Sequence, residues 1–219
     1  MADCIGADQV WRQLRSTPVA GARPLLCLDR DGVLVEEVNY LCRIADVAFI
    51  EGAVETIRLA RAQGWGVAMV TNQAGIARGY FDWESFAAVN AHILQWLDAR
   101  GAYIDLVVAT PHHPSGRTPY AHPDHPMRKP NPGMLCTACD LLHGVPQASL
   151  MVGDKADDLR AGRAAGLRRG FQVLTGHGPE EQAAARALGT EHFTVEVIPD
   201  IGADRLRRAL TRTLPVGAD

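Results

Sequence analysis

The sequence carries two pairs of aspartates, each placed directly after a short apolar run. Asp29 and Asp31 follow the first run in "LLCLDRDGV", and Asp154 and Asp158 follow another in "MVGDKADDL". Two carboxylates spaced two residues apart can face one cleft once the chain leaves a strand, and Gly32 permits the sharp turn that this requires. Because Mg²⁺ prefers oxygen ligands, the pattern indicates a magnesium-assisted phosphoryl site.

Side chains able to bind phosphate also follow apolar runs or lie in the motif "RKP". Thr71 and Asn72 end an apolar run in "MVTNQAGIARGYF", Arg128 and Lys129 lie in "RKP", and Lys155 lies in "GDK". A hydroxyl with backbone N–H groups can cradle a phosphate, a lysine supplies a point charge, and an arginine supplies a forked donor. Taken singly, each motif is also typical of a turn, a helix cap or a solvated surface.

The apolar pattern predicts a scaffold that brings these groups together. Strand-like runs begin near residues 25, 66, 106, 149, 170 and 192, and helical spacing covers 52–63, 83–99, 132–143 and 155–165. Strands that alternate with helices predict an α/β fold with a doubly wound parallel sheet. Ligands of such sheets bind at the carboxyl ends of the strands, which is where the aspartates and Thr71 stand.

We expect a single domain over residues 23–215, without a large cap domain, preceded by an N-terminal extension at 1–22 that forms a helix and a linker. The segment 110–131, "TPHHPSGRTPYAHPDHPMRKPN", is too long and proline-rich for an ordinary connection. Loops of this length are usually functional or disordered. We therefore interpret it as a substrate-specificity loop.

Composition restricts the partners and the compartment. The chain has 47% hydrophobic residues, 21% charged residues and a formal net charge of -3, so it lacks the basic excess of nucleic-acid-binding proteins. No apolar stretch approaches the roughly 20 residues that span a bilayer. Five scattered cysteines suit reduced thiols better than a disulfide framework. We expect a cytoplasmic monomer that binds a small molecule and neither nucleic acid nor membranes.

Four motifs stand in a recognisable order between about Leu25 and Gly176: "DRDG", "TNQAGIARGYF", "RKPNPGM" and "MVGDK". In these motifs the chain resembles the haloacid dehalogenase-like (HAD-like) phosphatases, which share a Rossmann-like fold. More narrowly, it is similar to the D-glycero-D-manno-heptose-1,7-bisphosphate 7-phosphatases and their histidinol-phosphatase relatives. "TNQAGIARG" favours the heptose branch, because histidinol phosphatases follow the Gln with Asp-Gly-Leu-Gly. The resemblance implies Mg²⁺-dependent hydrolysis of a small sugar phosphate.

The resemblance also implies catalytic roles. Asp29 would attack phosphorus to form an aspartyl-phosphate, and Asp31 would protonate the departing sugar oxygen and then deprotonate the hydrolytic water. Mg²⁺ would be held by the Asp29 carboxylate, the Asp31 backbone carbonyl and Asp154. Thr71 and Lys129 would bind the oxygens of the transferring phosphoryl group.

Other positions match residues that surround the substrate in this family. Arg128, Glu37 and Tyr40 would contact the sugar or its second phosphate. Asp158 would help to fix Lys155 or the metal shell. The expected phosphoryl- and substrate-binding set is Thr71, Asn72, Lys129, Arg128, Glu37, Tyr40 and Lys155.

The family's version of the loop usually binds a structural zinc through a Cys-x-His pair and a Cys-x-Cys pair. In this chain those positions are Thr110, His112, His125 and Met127. A hydroxyl and a thioether are poor zinc ligands, so two credible ligands remain where a closed site needs four. We expect a zinc-free loop stiffened by its prolines. A rearranged zinc site would have to recruit His113, His122 and Asp124.

Three other functions fit parts of the pattern. A phosphatase of another small phosphate ester, such as histidinol phosphate, would use the same motifs. A signalling receiver domain also has a parallel sheet with acids, a Thr and a Lys, but it lacks an acid two residues after the phosphorylated aspartate. A catalytically silent binding module would have no use for Asp31 as a second acid.

Overall fold

A computed structural model describes residues 4–17 and 21–211. The strands are β1 (Trp11–Leu14), β2 (Leu25–Leu28), β3 (Gly66–Asn72), β4 (Leu106–Thr110), β5 (Leu150–Gly153), β6 (Arg169–Val173) and β7 (Thr194–Ile198). They form a 7-stranded sheet in the order β1-β4-β3-β2-β5-β6-β7. Every neighbouring pair is parallel except β1 with β4.

Helices cover both faces of this sheet. They are α1 (Ala53–Ala62), α2 (Ala74–Arg78), α3 (Trp83–Asp98), α4 (Gly133–Leu142), α5 (Ala156–Ala164), α6 (Gly178–Arg186) and α7 (Asp204–Thr211), with 3-10 turns at Ile44–Asp46 and Pro146–Ala148. Ile57 of α1, Phe86 of α3 and Leu206 of α7 belong to one buried core. Met134 of α4 and Leu159 of α5 belong to the other. The prediction of a doubly wound α/β fold is confirmed.

The central strand β2 is buried along its whole length and serves both cores. Leu26 and Leu28 pack into the first core, whereas Leu25 and Cys27 pack into the second, as the two-residue period of a strand requires. Because β3 and β5 flank β2 in parallel, the carboxyl ends of the three strands lie side by side. The residues that follow these strands, beginning with Asp29, therefore share one edge.

The N-terminal extension contains a strand where we expected a helix. β1 pairs antiparallel with β4 at the edge of the sheet. Trp11 is buried and stacks on Trp83 with ring centroids 5.7 Å apart, and it meets the edge of Phe86 at 5.4 Å. An aromatic residue after β-branched Val10 suits a half-buried pleated surface, and an antiparallel edge strand needs no crossover helix. The helix expectation is wrong for these residues.

Parts of the expected domain limits, at residues 1–3, 18–20 and 212–215, lie outside the described residues, so those limits stay a prediction. The loop 110–131 runs from the last residue of β4 to the turn before α4 and contains no helix among its residues, all of which are described. None of the described helices is long and apolar enough to cross a membrane.

Candidate active site

A cleft of about 340 Å³ opens over the carboxyl ends of β2, β3 and β5. Most predicted site residues line it: Asp29, Asp31, Glu37, Tyr40, Thr71, Asn72, Arg128, Lys129, Lys155 and Asp158. Asp154 is fully buried, with a carboxylate oxygen close to those of Asp29 and Asp158. His112 and His125 do not line the cleft.

Lys129 is buried and its ammonium is surrounded by acceptors. Its Nζ lies 3.0 Å from Oδ1 of Asp29 and 2.6 Å from Oδ1 of Asp158, and it donates to the carbonyl of Val70 at 2.8 Å. These contacts use all three donors of the ammonium group. Burial alone would lower the pKa of Lys129, but Asp158 and Asp29 outweigh it and raise the pKa. The lysine therefore stays charged at neutral pH.

Three buried carboxylates lie close together here, and two of them, Asp29 and Asp158, pair with Lys129. Oxygens of Asp29, Asp154 and Asp158 lie within 4.8 Å of one another. Oδ2 of Asp154 accepts from the backbone N–H of His177 at 2.9 Å, whereas Oδ1 is buried without a hydrogen-bond partner in the described part of the chain. Burial, and then the charges of Asp29 and Asp158, raise the pKa of Asp154 to about 8. An excess of buried negative charge with oxygen-only donors fits a divalent cation such as Mg²⁺.

Two glycines allow the backbone to approach Asp154 closely. A Cβ at Gly32 would lie 2.6 Å from Oδ2 of Asp154, and a Cβ at Gly176 would lie 2.5 Å from the same atom. Both glycines also adopt positive φ, at +79° and +58°, which side chains disfavour. The glycine of "DRDG" is therefore required both by the turn and by the buried acid beside it.

Asp158 fixes Lys129 and the start of α5. Its Oδ1 pairs with Lys129, and its Oδ2 accepts from the backbone N–H of Lys155 at 3.0 Å. Burial raises the pKa of Asp158 to about 6, although Lys129 opposes this change. The Lys155 side chain points elsewhere, with Nζ 4.0 Å from Oε2 of Glu37. Asp158 thus contacts the backbone of Lys155, and its ion pair is with Lys129.

Asp31 is held by two residues that sequence reasoning did not select. Nε and Nη2 of Arg30 donate to Oδ1 and Oδ2 of Asp31, each at 3.0 Å, in a forked pair. The Gln73 amide donates to Oδ2 of Asp31 at 3.1 Å and to Oγ1 of Thr71 at 2.9 Å. Arg30 is fully buried, so its two hydrogen bonds to Asp31 come from a guanidinium group that is shielded from solvent. The orientation of the Asp31 carboxylate is therefore set independently of Lys129.

Asn72 attaches the loop 110–131 to the end of β3. Its Nδ2 donates to the carbonyl of Lys129 at 3.0 Å, and its Oδ1 accepts from the Lys129 backbone N–H at 3.1 Å. The side-chain amide thus binds both backbone groups of one residue. This contact positions the lysine that Asp29 and Asp158 then hold.

Two arginines, Arg78 and Arg128, line the cleft in addition to the lysines. Arg78, the last residue of α2, donates to the hydroxyl of Tyr40 and lies with Nη2 3.1 Å from Nε2 of His113. Arg128 donates to the carbonyl of His112 at 3.1 Å. Tyr40 adopts φ 70°, a left-handed conformation that bulky residues rarely take and that is concentrated at functional sites.

Comparisons with known proteins agree with this geometry. A HAD-hydrolase-like family model matches residues 126–202. Over 150 residues the chain is 47% identical to a D-glycero-beta-D-manno-heptose-1,7-bisphosphate 7-phosphatase of Mesorhizobium japonicum, a match that covers 68% of this chain and 69% of the relative. The chain belongs to the haloacid dehalogenase-like phosphatases.

Solved structures support the same assignment for this phosphatase. A structure from Mesorhizobium loti assigned as a HAD-like phosphatase has a TM-score of 0.80 and 38% identity, and the match covers 92% of each chain. The D,D-heptose 1,7-bisphosphate phosphatase of B. bronchiseptica, complexed with magnesium and phosphate, has a TM-score of 0.71 and 28% identity over 85% of this chain and 98% of that one. The enzyme is accordingly a phosphoric monoester hydrolase.

Stacked histidines order the loop of this phosphatase. The rings of His112 and His125 stack with centroids 3.6 Å apart, and Nε2 of His112 lies 2.9 Å from the carbonyl of Asp8. Nδ1 of His125 accepts from the backbone N–H of Met127 at 3.2 Å. Burial, and then the neighbouring His112 and His122, lower the pKa of His125 to about 4, so this ring is neutral at pH 7.

The phosphatase site includes residues that sequence reasoning missed: Arg30, Gln73, Arg78 and His177. Arg30 and Gln73 stand inside the quoted motifs "DRDG" and "TNQ", so their closeness to Asp31 and Thr71 was an available signal. Arg78 also lies in a quoted motif, but only the course of α2 shows that it reaches the cleft. His113, considered above only as a substitute zinc ligand, lines the cleft instead.

Proposed function

We propose that this phosphatase hydrolyses the 7-phosphate of a heptose 1,7-bisphosphate, with Mg²⁺ as cofactor and through an aspartyl-phosphate intermediate. One observation carries the proposal: the two aspartates of "DRDG" have different partners. Oδ1 of Asp29 lies 3.0 Å from Nζ of Lys129, whereas the Asp31 carboxylate is held by Arg30 and Gln73. Two carboxylates in different environments suit two different roles.

In the first half of the reaction, a carboxylate oxygen of Asp29 bonds to phosphorus as the bond from phosphorus to the sugar oxygen breaks. Asp31 gives its proton to that departing oxygen. In the second half, Asp31 takes a proton from water, whose oxygen bonds to phosphorus and displaces Asp29. Lys129 and Thr71 stabilise the charge on the phosphoryl oxygens in both halves. Inorganic phosphate leaves, and both aspartates return to their starting states.

Asp29, Asp154 and the backbone carbonyl of Asp31 would hold Mg²⁺. When bound, the cation supplies positive charge that offsets the repulsion between the Asp29 carboxylate and the phosphate. Oδ1 of buried Asp154, which has no hydrogen-bond partner among the residues that the structure describes, and the oxygen donors around it support this assignment. Because the pKa of Asp154 is raised to about 8, protons and the metal would compete for this carboxylate at neutral pH.

The substrate is proposed from the names of the relatives and from Arg128, which lines the cleft. The relative from M. japonicum is named as a heptose-1,7-bisphosphate 7-phosphatase, and the B. bronchiseptica relative as a D,D-heptose 1,7-bisphosphate phosphatase. Arg128 lines the cleft and offers a forked donor to a second anion, and Glu37 and Tyr40, which line the same cleft, would contact the sugar. Histidinol phosphate or another small phosphate ester would react at the same aspartates. Experiment must therefore distinguish these substrates from the heptose bisphosphate.

We also propose that the loop 110–131 is a zinc-free, proline-stiffened arm that aims Arg128 and Lys129 into the cleft. The hydrogen bond that Nδ1 of His125 accepts from the Met127 backbone N–H supports this, because a neutral imidazole that accepts at one nitrogen carries its proton on the other, which then has no free lone pair for a metal. A cytoplasmic monomer whose partner is a small sugar phosphate stays part of the proposal.

Phosphate release from a panel of substrates tests the proposed function. The panel contains both anomers of D-glycero-D-manno-heptose 1,7-bisphosphate, histidinol phosphate and simple hexose phosphates. We expect the highest kcat/KM on a heptose bisphosphate, loss of activity in a strong chelator and recovery with Mg²⁺. A higher kcat/KM on histidinol phosphate would show that the proposed substrate is wrong. Full activity in chelator would show that the reaction does not need Mg²⁺. Phosphate held on Asp29 without turnover would favour a receiver-like module.

A further inference from the structure

The side-chain amide of Gln73 joins two groups that have separate roles in the proposed reaction. Its Nε2 donates to Oδ2 of Asp31 at 3.1 Å and to Oγ1 of Thr71 at 2.9 Å. Its Oε1 accepts from Nη2 of Arg30 at 3.2 Å. Both N–H bonds of the amide are used in these contacts, so Gln73 has no donor left for a substrate. Any effect of this amide on the reaction must therefore pass through Asp31 and Thr71.

The directions of these hydrogen bonds are forced by Arg30. A guanidinium group only donates, so the amide turns its oxygen toward Arg30 and its nitrogen toward Asp31 and Thr71. Arg30 is itself fixed, because its side chain is fully buried and its Cζ lies 5.5 Å from the centre of the buried Phe86 ring. The amide of Gln73 thus has one orientation that satisfies its neighbours.

The backbone of Gln73 is held as firmly as its side chain. Its N–H donates to the carbonyl of Thr110, the last residue of β4, at 2.7 Å. The residue is buried, so water has little access to the amide. Hydrogen bonds that are shielded from water keep their geometry, and the loss of one leaves a buried partner unsatisfied.

This orientation decides what the Thr71 hydroxyl can do. The hydroxyl has one proton, and its oxygen already accepts from Gln73. Within residues 4–17 and 21–211, the Thr71 hydroxyl has no acceptor for its own proton. Thr71 lines the cleft, so this proton is available to an oxygen of the transferring phosphoryl group, where negative charge must be stabilised.

We propose that Gln73 is a positioning residue that couples the two roles. It holds the Asp31 carboxylate in place for proton transfer and, by donating to Thr71, leaves the Thr71 hydroxyl proton for the phosphoryl oxygen. This inference rests on the proposed function, which gives proton transfer to Asp31 and phosphoryl binding to Thr71. Because both effects act on the transition state, loss of the amide should lower kcat and leave KM nearly unchanged.

The test compares Gln73→Met, which keeps the length but lacks the amide, with the wild type in saturating Mg²⁺. The sugar oxygen of heptose 1,7-bisphosphate needs protonation as it leaves, whereas the leaving group of para-nitrophenyl phosphate does not. We expect kcat to fall about 100-fold on the bisphosphate and about 10-fold on para-nitrophenyl phosphate, with KM within about 3-fold on both. Gln95→Met, at an exposed position of α3, is the matched control and should keep full activity.

Double variants show whether Gln73 acts through its two partners. In the Thr71→Val background, Gln73→Met should lower kcat on para-nitrophenyl phosphate by less than about 3-fold, because the hydroxyl that it orients is gone. In the Asp31→Asn background, the loss that Gln73→Met causes on the bisphosphate should shrink from about 100-fold to about 10-fold. A residue that only maintains the fold would multiply the losses in full and would not distinguish the leaving groups.

A second measurement requires no turnover of the bisphosphate. Vanadate resembles the phosphoryl group during transfer, and Gln73→Met should weaken inhibition by vanadate about 10-fold, with no further weakening when Thr71→Val is added. Thermal melting shows whether each variant is folded. If Gln73→Met is not, Gln73→Glu replaces it, because glutamate keeps the length and the acceptor for Arg30 but lacks the two N–H donors.

The outcomes separate this inference from the proposed function. Equal losses on the two substrates, or undiminished losses in the Thr71→Val background, would overturn the positioning role and leave the proposed reaction in place. If Asp31→Asn and Thr71→Val keep the kcat of the wild type, the proposed roles of these residues fail, and the inference fails with them. A loss that depends on the leaving group and shrinks in both backgrounds supports the inference.

Discussion

At the strand ends, acidic side chains surround the ammonium of Lys129, which comes from the end of the loop 110–131, whereas earlier in that loop the side chains that pack together are histidine rings. Lys129 contacts Asp29 and Asp158 within 3.0 Å and 2.6 Å. In the loop, His112 and His125 stack at 3.6 Å. The strand-end residues are fixed by a sheet buried on both faces, while the loop is fixed by contacts among its own residues and with Asp8 and Asn72. Such an arrangement lets the earlier part of the loop vary while Lys129 at its end stays held by the strand-end acids.

The largest effect should come from the strand-end cluster. Asp29→Asn removes the proposed nucleophile and a metal ligand, and it leaves Lys129 with one acid, so we expect activity at the assay background on every substrate. The measurement is phosphate release in saturating Mg²⁺, with Asp140→Asn on the exposed face of α4 as a control that keeps full activity. Retention of more than a few per cent of kcat would rule out covalent catalysis by Asp29.

Asp31→Asn should have a smaller effect, because the backbone carbonyl remains and only the proton transfer is lost. We expect kcat to fall roughly 100-fold or more. An aryl phosphate has a good leaving group that needs less protonation, so kcat on this substrate should fall less. If both substrates lose equally, Asp31 acts through the geometry that it shares with Arg30 and Gln73, and proton transfer must be assigned elsewhere.

A third change should stabilise the metal-free protein while abolishing activity. The pKa of Asp154 is raised from 3.8 to about 8, so the folded state retains a proton that the unfolded state has released, and stability falls as pH rises between these values. Asp154→Asn cannot ionise, and in chelator it should melt several degrees above the wild type at pH 8 and close to it at pH 4. Mg²⁺ should raise the Tm of the wild type at pH 8 more than that of the variant. A lower Tm for Asp154→Asn at pH 8 in chelator would contradict the excess of buried charge.

The smallest effect should come from the loop. His112→Ala removes a ring stack and a hydrogen bond to Asp8, which should cost about 1–2 kcal/mol of stability and raise KM for a bisphosphate a few-fold with kcat unchanged. Tag-free protein should contain less than about a tenth of a zinc per chain, and a mild chelator followed by Mg²⁺ should leave activity intact. Exposed His192→Ala is the control. One tightly held zinc per chain, lost together with activity in His112→Ala or His125→Ala, would restore a metal site.

The strand-end residues could be predicted from sequence because a buried parallel sheet aligns the ends of its strands. Asp29 and Thr71 needed only the position of the apolar runs. Arg30 could not be placed this way. If the strand continued, Arg30 would point to the face opposite to Asp29 and Asp31. β2 ends before Arg30, however, so the buried guanidinium of Arg30 lies beside the Asp31 carboxylate and pairs with it.

The contacts of the loop and of the N-terminal strand were not predictable from local pattern. The stack of His112 on His125 joins residues of a loop that has no repeating period, so only the folded backbone brings the rings together. β1 has four residues, too few to show a period, and its pairing with β4 depends on Trp11 reaching Trp83 and Phe86. Arg78 reaches the cleft through the course of a short helix that the sequence does not specify.

The pairing of β1 with β4 has a practical consequence for handling the enzyme. β4 ends at Thr110, where the loop 110–131 begins, and the carbonyl of Asp8 lies 2.9 Å from Nε2 of the His112 ring. The amino-terminal segment therefore braces the loop 110–131, although none of its described residues lines the cleft. A purification tag or a truncation at this end should alter substrate preference before it alters turnover of simple phosphate esters. Tags fused at the carboxyl terminus are the safer choice for kinetic work.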